Sequence, residues 1–289
     1  MTTVGIVSPG AMGSALGRVF AAGGSRVVAT TDGRSARTAR LAEGLELLPS
    51  LADVVSAADI VLSVVPPVAV RAVAAAIGRA ASTTGASPLV ADLNATAPST
   101  MREVAGTLAA AGLHTVDGAI SGPPPDAPGT TVVYLAGPEA ARVASLPAPG
   151  LQLRLVGGPV GQASAVKMST ASFYKGQTAV LAQALRAAHA NGVLDVVLDD
   201  LGSAYAGLVA NAPRLLQSVA AKSGRFVGEM QEISRAQSEA GLPPELFAAF
   251  ALVYEQLSRT EAAGRSPEQV DGDATLEDVL MLLEGRAGA

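Results

Sequence analysis

Residues 5–17 read GIVSPGAMGSALG, and this is the most informative stretch of the chain. The apolar run Val4–Val7 predicts a short strand. Gly10 and Gly13 then open a segment of helical spacing that continues through Phe20. A strand, a glycine turn and a helix N-terminus in this order form a cradle for a pyrophosphate. Backbone N–H groups point at the phosphates there, and the helix dipole favours their charge.

The glycine pattern departs from G-x-G-x-x-G at one position, because Ser8 stands where the first glycine belongs. Taken alone the stretch is a weak indication, since glycine spacings recur by chance in a chain with 31 glycines. Together with the residues discussed below, Ser8-Pro9 is better interpreted as a variant turn. The cradle then predicts that a pyrophosphate lies against the N–H groups of Ala11 and Met12, with Gly10 as a further cofactor-binding residue.

Composition excludes several classes of function. The net charge of −5 comes without a basic cluster, and aromatic residues make up only 3%, so nucleic-acid binding is not expected. The chain has no cysteine, which excludes disulfides, thiolate chemistry and cysteine-based zinc sites. The two histidines, His114 and His189, lack metal-ligand spacing and are expected to be ordinary helix or loop residues. No metal site is predicted.

Nothing in the sequence predicts a membrane segment. The N-terminus has no basic stretch followed by an apolar core. The longest apolar region, Val54–Ile77, contains Asp59, Pro66, Pro67 and Arg71. The expected location is cytoplasmic.

Two domains are predicted, at 1–158 and 159–289. In the first, β-branched runs at 4–7, 26–30, 59–65, 89–92 and 130–135 alternate with stretches of helical period. This alternation is typical of an α/β fold, a Rossmann-type doubly wound parallel sheet covered on both faces. Such sheets bind ligands beyond the carboxyl ends of their strands.

The second domain is predicted to be all-helical, for substrate binding and dimerisation. It begins with one long helix from Val160 to about Asn191, and further helices are expected at 195–204, 212–240, 244–263 and 275–284. The long helix is rich in Ala and Leu, with more apolar surface than one small domain can cover. A homodimer through the helical domain is therefore predicted.

The loop after the second strand, Thr31–Ser35, is where a dinucleotide fold recognises the ribose. Asp32 could accept from both ribose hydroxyls, which would select NAD, but Asp32-Gly33 also has the form of a turn that aims the carboxylate away. Arg34 and Arg37 supply positive charge, and Ser35 is a natural N-cap for a helix through Glu43. We therefore favour NADP (NADPH) over NAD, with a solvated turn as the alternative.

Three further strand ends supply candidate site residues. Val65-Pro66 ends one buried strand as a candidate cofactor contact, and Asn94 follows the next, where it could bind the nicotinamide ribose or form only an Asx-turn. Ser121 and Gly122 form a rigid loop that could bind a carboxylate, or be a plain proline-rich turn.

Lys167 lies about two turns into the long helix, and Thr170 and Tyr174 follow on its face at i+3 and i+7. A single lysine at such spacing can also be a solvated side chain, so Lys167 is a candidate catalytic residue and Thr170 and Tyr174 are candidate substrate contacts.

Together these residues resemble the β-hydroxyacid dehydrogenase family, which includes 3-hydroxyisobutyrate and tartronate semialdehyde reductases. The N-terminal fingerprint is matched by residues 5–7 and 10–13. The Asp-x-Ser-Thr-x-x-Pro segment is similar to Asp92–Pro98, with Asn94 and Ala95 replacing Ser-Thr. The substrate loop resembles Asp117–Pro123, and the catalytic helix resembles Gly161–Lys167.

The resemblance weakens after Lys167, since Thr170 and Ala171 stand where the family has two asparagines that help hold the substrate. The chain is more similar to a branch with a helical C-terminal domain like that of 6-phosphogluconate dehydrogenase. The features of that branch are Asp32–Ser35, Lys167-Met168, Lys175-Gly176 and Arg225–Met230.

The resemblance implies an NADP-dependent oxidoreductase that transfers a hydride between the nicotinamide and a small carbonyl or hydroxy acid. Lys167 is the expected general acid/base, and burial and the positive helix N-terminus would have to lower its pKa for the oxidation direction. Two alternatives stay open. One is an imine reductase or reductive aminase, a related class that usually has Asp or Tyr at the position of Lys167. The other is a cofactor-binding protein without catalysis.

Overall fold

A computed structural model describes residues 1–126, 128–265 and 270–285 of the chain. By their contacts the residues divide into two units, Met1–Ser169 and Thr170–Ala289, and the division falls inside one long helix. The boundary predicted from the sequence, at residue 158, lies just before that helix. The first two turns of the helix belong to the first unit.

One sheet forms the centre of the first unit. Its strands are β1 (Thr3–Ile6), β2 (Arg26–Ala29), β3 (Glu46–Leu47), β4 (Ile60–Ser63), β5 (Leu89–Asp92), β6 (Thr115–Ser121), β7 (Val132–Ala136) and β8 (Gln152–Leu155). Strands are found at all five predicted positions, with ends that differ by at most two residues. The strands β3, β6 and β8 were not among the predicted runs.

The strand order is β3-β2-β1-β4-β5-β6-β7-β8. The first six strands are parallel, in the order that dinucleotide-binding folds use, with the change of direction between β1 and β4. The predicted parallel sheet is confirmed for these strands, and one antiparallel pairing is added to it: β7 runs antiparallel to β6, and β8 then lies parallel to β7. The loops after β1, β2, β4, β5 and β6 therefore share one edge of the sheet.

Helices cover both faces of this sheet. They are α1 (Ala11–Ala22), α2 (Ala36–Leu41), α3 (Leu51–Ala57), α4 (Val70–Thr84), α5 (Pro98–Ala110), α6 (Ala140–Ala144) and the start of α7 (Gln162–Ala190). A short 3-10 turn, Pro67–Ala69, precedes α4.

The period of two along the strands separates the core into two layers. Ile6 and Leu62 point to the layer that contains Phe20 of α1. Val61 points to the opposite layer, which contains Met101 of α5. Because both faces of the central strands are buried, their sequences are apolar throughout rather than alternating.

The second unit is helical in all its described regular structure. After α7 come α8 (Leu194–Ala210), α9 (Ala212–Ala220), α10 (Ser223–Glu239), α11 (Glu245–Leu257) and α12 (Leu276–Glu284), with a 3-10 turn at Glu261–Gly264. The helix predicted over 212–240 is two helices, α9 and α10, and the break falls at Ala221-Lys222. No helix in the described part of the chain is both long and apolar enough to cross a membrane.

Candidate active site

The glycine turn between β1 and α1 depends on one close approach. A Cβ atom on Gly13 would lie 2.2 Å from the carbonyl oxygen of Ser8, so only glycine fits this position. The hydroxyl of Ser14 donates to the carbonyl of Pro9 at 2.5 Å, and its N–H donates to the carbonyl of Gly10 at 2.8 Å. Ser8-Pro9 is thus part of a hydrogen-bonded turn that leads into α1.

The start of α1 fits a bound phosphate group. Gly10 has an ordinary φ of −70°, and no atom lies within 4 Å of where its Cβ would be, so neither strain nor packing requires a glycine there. Within the described ranges, the N–H groups of Ala11 and Met12 have no hydrogen-bond acceptor. The first turn of α1 carries no acidic side chain that would repel an anion. The open side of Gly10 and these two N–H groups match what a pyrophosphate needs.

Thr31–Ser35, after β2, has the turn form that the sequence suggested. The N–H of Arg34 donates to the carbonyl of Thr31 at 2.9 Å, and Gly33 has a φ of +66°. Asp32 and Arg34 are both exposed in this turn. Ser35 is the N-cap of α2 and accepts from the N–H of Thr38 at 3.3 Å, but the helix ends at Leu41 rather than at Glu43.

Asn94 joins the ends of β4 and β5. Its Oδ1 accepts from the N–H of Val65 at 2.6 Å, and its Nδ2 donates to Asp92 at 2.9 Å and to Ser63 Oγ at 3.0 Å. Its own N–H donates to Asp92 at 3.2 Å, which is an Asx-turn. The structure brings Asn94 and Val65 together, with the side chain of Asn94 3% exposed and Pro66 exposed beside them.

Two buried carboxylates lie side by side on neighbouring strands, because Asp92 of β5 pairs in register with Asp117 of β6. Burial raises the pKa of Asp92 from 3.8 to about 6; hydrogen bonds from Asn94 and Ser63 oppose this rise, and the charge of Asp117 adds to it. Burial also raises the pKa of Asp117, although four hydrogen bonds act in the opposite direction. Asp92 thus supports the loop after β4, whereas Asp117 supports the start of α7.

Asp117 holds the start of α7. Its Oδ2 accepts from the N–H groups of Gly161 at 2.8 Å, Ala163 at 2.9 Å and Ser164 at 3.2 Å. Its Oδ1 accepts from the hydroxyl of Ser164 at 2.7 Å. Lys167, half-buried, follows Ser164 by three residues on the next turn. The family resemblance includes Asp117 in the substrate-loop motif. The sequence does not predict that Asp117 caps α7, because the partners lie more than forty residues apart.

Ser121 and Gly122 lie at the carboxyl end of β6, on the edge that also carries the glycine turn. Gly122 has a φ of +126°, and a Cβ there would lie 2.4 Å from the carbonyl oxygen of Thr130. The hydroxyl of Thr131 donates to the carbonyl of Pro123 at 2.6 Å, which ties the two sides of the loop together. The loop is therefore closely packed against β7, and Gly122 is required for its shape.

The other two predicted substrate contacts belong to the second unit. Thr170 is half-buried and Tyr174 is 65% exposed, and the Tyr174 ring lies edge-on to Phe173 at 6.0 Å. Both stay predictions as substrate contacts.

Lys175, which the resemblance singled out, has a structural partner. It forms a buried ion pair with Glu229 of α10, which Arg225 also contacts at 3.2 Å. The hydroxyl of Tyr254 donates to the carbonyl of Lys175 at 2.7 Å, and its ring packs edge-on against Phe226 at 5.3 Å. The motif residues of α7 and α10 thus form one network that joins three helices of the second unit.

The strand order and the glycine turn define a class of protein, those with a dinucleotide-binding fold. The chain belongs to the family described as the NAD binding domain of 6-phosphogluconate dehydrogenase, whose model matches residues 3–148. A second model, a domain of unknown function called DUF1932, matches residues 188–257 in the helical unit.

Solved structures with similar folds cover nearly the whole chain. A conserved hypothetical protein from Sinorhizobium meliloti is 27% identical, with a TM-score of 0.65, 98% of this chain covered and 96% of that chain. The 3-hydroxyisobutyrate dehydrogenase of Mycobacterium tuberculosis is 20% identical, with a TM-score of 0.69 and coverages of 93% and 98%. An imine reductase from Streptomyces aurantiacus is 20% identical, with a TM-score of 0.54 and the same coverages. No functionally curated protein matches the sequence significantly.

Proposed function

We propose that the protein reversibly reduces a small carbonyl acid to a hydroxy acid with NADPH, with Lys167 as the general acid/base. One observation carries the proposal. Asp117 of β6 ties the helix of Lys167 to the strand that ends in the Ser121–Gly122 loop, on the same sheet edge as the glycine turn. A catalytic lysine, a loop suited to a carboxylate and a phosphate cradle are thus parts of one unit.

The residues proposed to hold the cofactor line that edge. Gly10, Ala11 and Met12 supply the open helix start for the pyrophosphate. Thr31, Arg34 and Ser35 lie where the ribose of the adenosine half would be recognised, and Val65, Pro66 and Asn94 form the loop proposed for the nicotinamide half. A nicotinamide bound there supplies the hydride for reduction or accepts it in oxidation. Asn94 acts mainly by fixing the N–H of Val65, since its own amide is held within the protein.

On the substrate side, Ser121 and Gly122 are proposed to hold the carboxylate through hydroxyl and N–H donors. Lys167, as an ammonium group, polarises the carbonyl oxygen and donates a proton to the alkoxide as it develops. In oxidation the neutral amine takes that proton back. Helical spacing puts Thr170 and Tyr174 on the Lys167 side of α7, where they would contact the rest of the substrate.

Arg34 is proposed to set the preference for NADPH over NADH. It is exposed next to the N-cap of α2, so its guanidinium can pair with a 2′-phosphate, whereas NADH offers only a hydroxyl. Arg34→Ala is expected to weaken NADPH binding by about 1.5–3 kcal/mol, or roughly 10- to 150-fold, and to leave NADH binding nearly unchanged. Fluorescence titration with both cofactors measures this, with Arg40→Ala, in the last turn of α2, as the control. Equal loss for both cofactors would contradict the proposal.

The second candidate function is reduction of a C=N bond. The fold similarity to an imine reductase and the replacement of the two family asparagines by Thr170 and Ala171 favour it. The experiment is an assay of NADPH oxidation with two sets of compounds. One set contains 2-oxo acids, 3-oxo acids and carboxylic acids that carry an aldehyde group, and the other contains cyclic imines. Turnover of the carbonyl acids supports the proposal, and turnover of the imines alone replaces it with the second candidate.

We also propose that the protein is a homodimer through the helical unit. In α8, a 17-residue helix rich in Val and Leu, no residue is buried against the described part of the chain, and Val196 is 71% exposed. An apolar helix without a buried residue is a typical subunit contact. Sedimentation velocity is expected to show a dimer that Val196→Asp dissociates. A monomer at all concentrations would contradict this.

A further inference from the structure

The N-terminus of α7 is capped from a distant strand rather than from its own loop. A helix normally receives this cap from the side chain just before it, whereas Gly161 has no side chain to offer. Gly161 has a φ of +110°, in the left-handed region, and its N–H donates to Asp117 at 2.8 Å. The position of α7 is therefore set by β6.

The cap uses the whole carboxylate. Asp117 is fully buried, and its two oxygens accept one hydroxyl and three N–H groups from the first turn of α7. These are charge-assisted bonds with nearly fixed directions, so they determine both where the helix begins and how it is rotated. Ser164 contributes two of the four donors.

One strand thereby relates two parts of the proposed site. Ser121 is four residues along β6 from Asp117, and Lys167 is three residues along α7 from Ser164. A shift of the helix start relative to β6 moves Lys167 relative to the loop that is proposed to hold the substrate carboxylate.

We propose that Asp117 is a positioning residue for the reaction: its carboxylate fixes Lys167 relative to the Ser121–Gly122 loop. This inference rests on the proposed function, because it assigns Asp117 a role in the same site. Asp117 touches neither substrate nor cofactor in this role and acts through α7 alone. It differs from Asp92, whose bonds go to Asn94 and the loop after β4.

The test is Asp117→Asn in the full-length protein. An amide has one acceptor oxygen instead of two and its NH₂ group faces N–H donors, so the helix start must shift. The kcat is expected to fall by about 10- to 100-fold, the cost of a small misplacement, while the Kd for NADPH stays within about twofold. A kcat within about twofold of the wild type in the folded variant would overturn the proposal.

Two matched variants separate positioning from a general loss of capping. Asp278→Asn removes another capping carboxylate, that of α12, which accepts from Thr275. It is expected to leave kcat unchanged. Ser164→Ala removes only the hydroxyl donor, so its kcat is expected to fall less than that of Asp117→Asn, and the double variant is expected to fall no further than Asp117→Asn. If Asp278→Asn lowers kcat as much as Asp117→Asn does, or if the Ser164 and Asp117 effects simply add, the proposal is overturned.

A measurement that needs no substrate turnover tests the positioning role of Asp117 separately from the proposed function. Acetic anhydride modifies lysines at a rate that depends on their position and surroundings, and mass spectrometry isolates the rate for Lys167. Asp117→Asn is expected to change that rate. It is also expected to speed hydrogen exchange at Ala163 and Ser164 at least about threefold, because the start of the helix opens more readily, even if no substrate is found. If the wild type lacks all turnover, the proposed function fails, and unchanged modification and exchange in the variant would overturn the positioning role as well.

Discussion

Lys167→Ala is expected to lower kcat by at least about 100-fold, because the alkoxide would lose its proton donor and the carbonyl oxygen its positive partner. Binding of NADPH is expected to be unchanged, since the proposed cofactor contacts lie on the loops after β1, β2, β4 and β5. Stopped-flow kinetics at saturating cofactor measures the first effect, and fluorescence titration measures the second. The prediction therefore separates chemistry from binding.

Two further variants show whether the loss of kcat comes from the missing proton donor or from the change in charge or size at residue 167. Lys167→Arg keeps the positive charge but gives up its proton far less readily, so most of the loss is expected to remain. Lys222→Ala is the control, because Lys222 lies at the junction of α9 and α10, where its Nζ contacts Ser218 Oγ at 2.8 Å. Near-normal turnover of Lys167→Ala would remove Lys167 from the proposal and with it the role assigned to Asp117.

The parts of the fold that the sequence predicted correctly are those with a strong local pattern. The strand at Leu89–Asp92 was predicted with its observed ends, because a continuous apolar run stands between polar loops. The long helix was predicted over 160–191 and is found over Gln162–Ala190, since its period persists for eight turns. Strand β6 is different: Asp117 and Gly118 interrupt its apolar run, and only the pairing with β5 and β7 makes it a strand.

The candidate site divides in the same way. The glycine turn and the N-cap Ser35 follow local rules of spacing and capping, and both are found as predicted. The cap that Asp117 gives to α7 joins residues more than forty positions apart, and no local pattern specifies it. Asn94 was correctly placed at a strand end, but whether its amide would face a ligand or the protein depended on the distance between β4 and β5, which only the fold determines.

The second large effect is expected from a pair of glycine substitutions in the cradle. Gly13→Ala would put a Cβ 2.2 Å from the carbonyl oxygen of Ser8, and the backbone on both sides of the contact is tied by hydrogen bonds. We expect this variant to lose about 2–4 kcal/mol of its free energy of unfolding, since the turn must move as a whole. Thermal or denaturant unfolding measures the loss, and the bound cofactor is left out so that only the fold is tested.

Gly10→Ala is the matched substitution with the opposite expected result. Its Cβ enters open space at a φ of −70° that alanine adopts freely, so the free energy of unfolding is expected to change by less than about 0.5 kcal/mol. The same methyl group would occupy the space next to the N–H groups of Ala11 and Met12, where the pyrophosphate is proposed to lie. NADPH binding is therefore expected to weaken at least about tenfold, or 1.4 kcal/mol. Wild-type affinity in Gly10→Ala would show that the pyrophosphate does not bind at this helix. Weak binding in a fully stable protein would show that the glycine is needed for the ligand rather than for the fold.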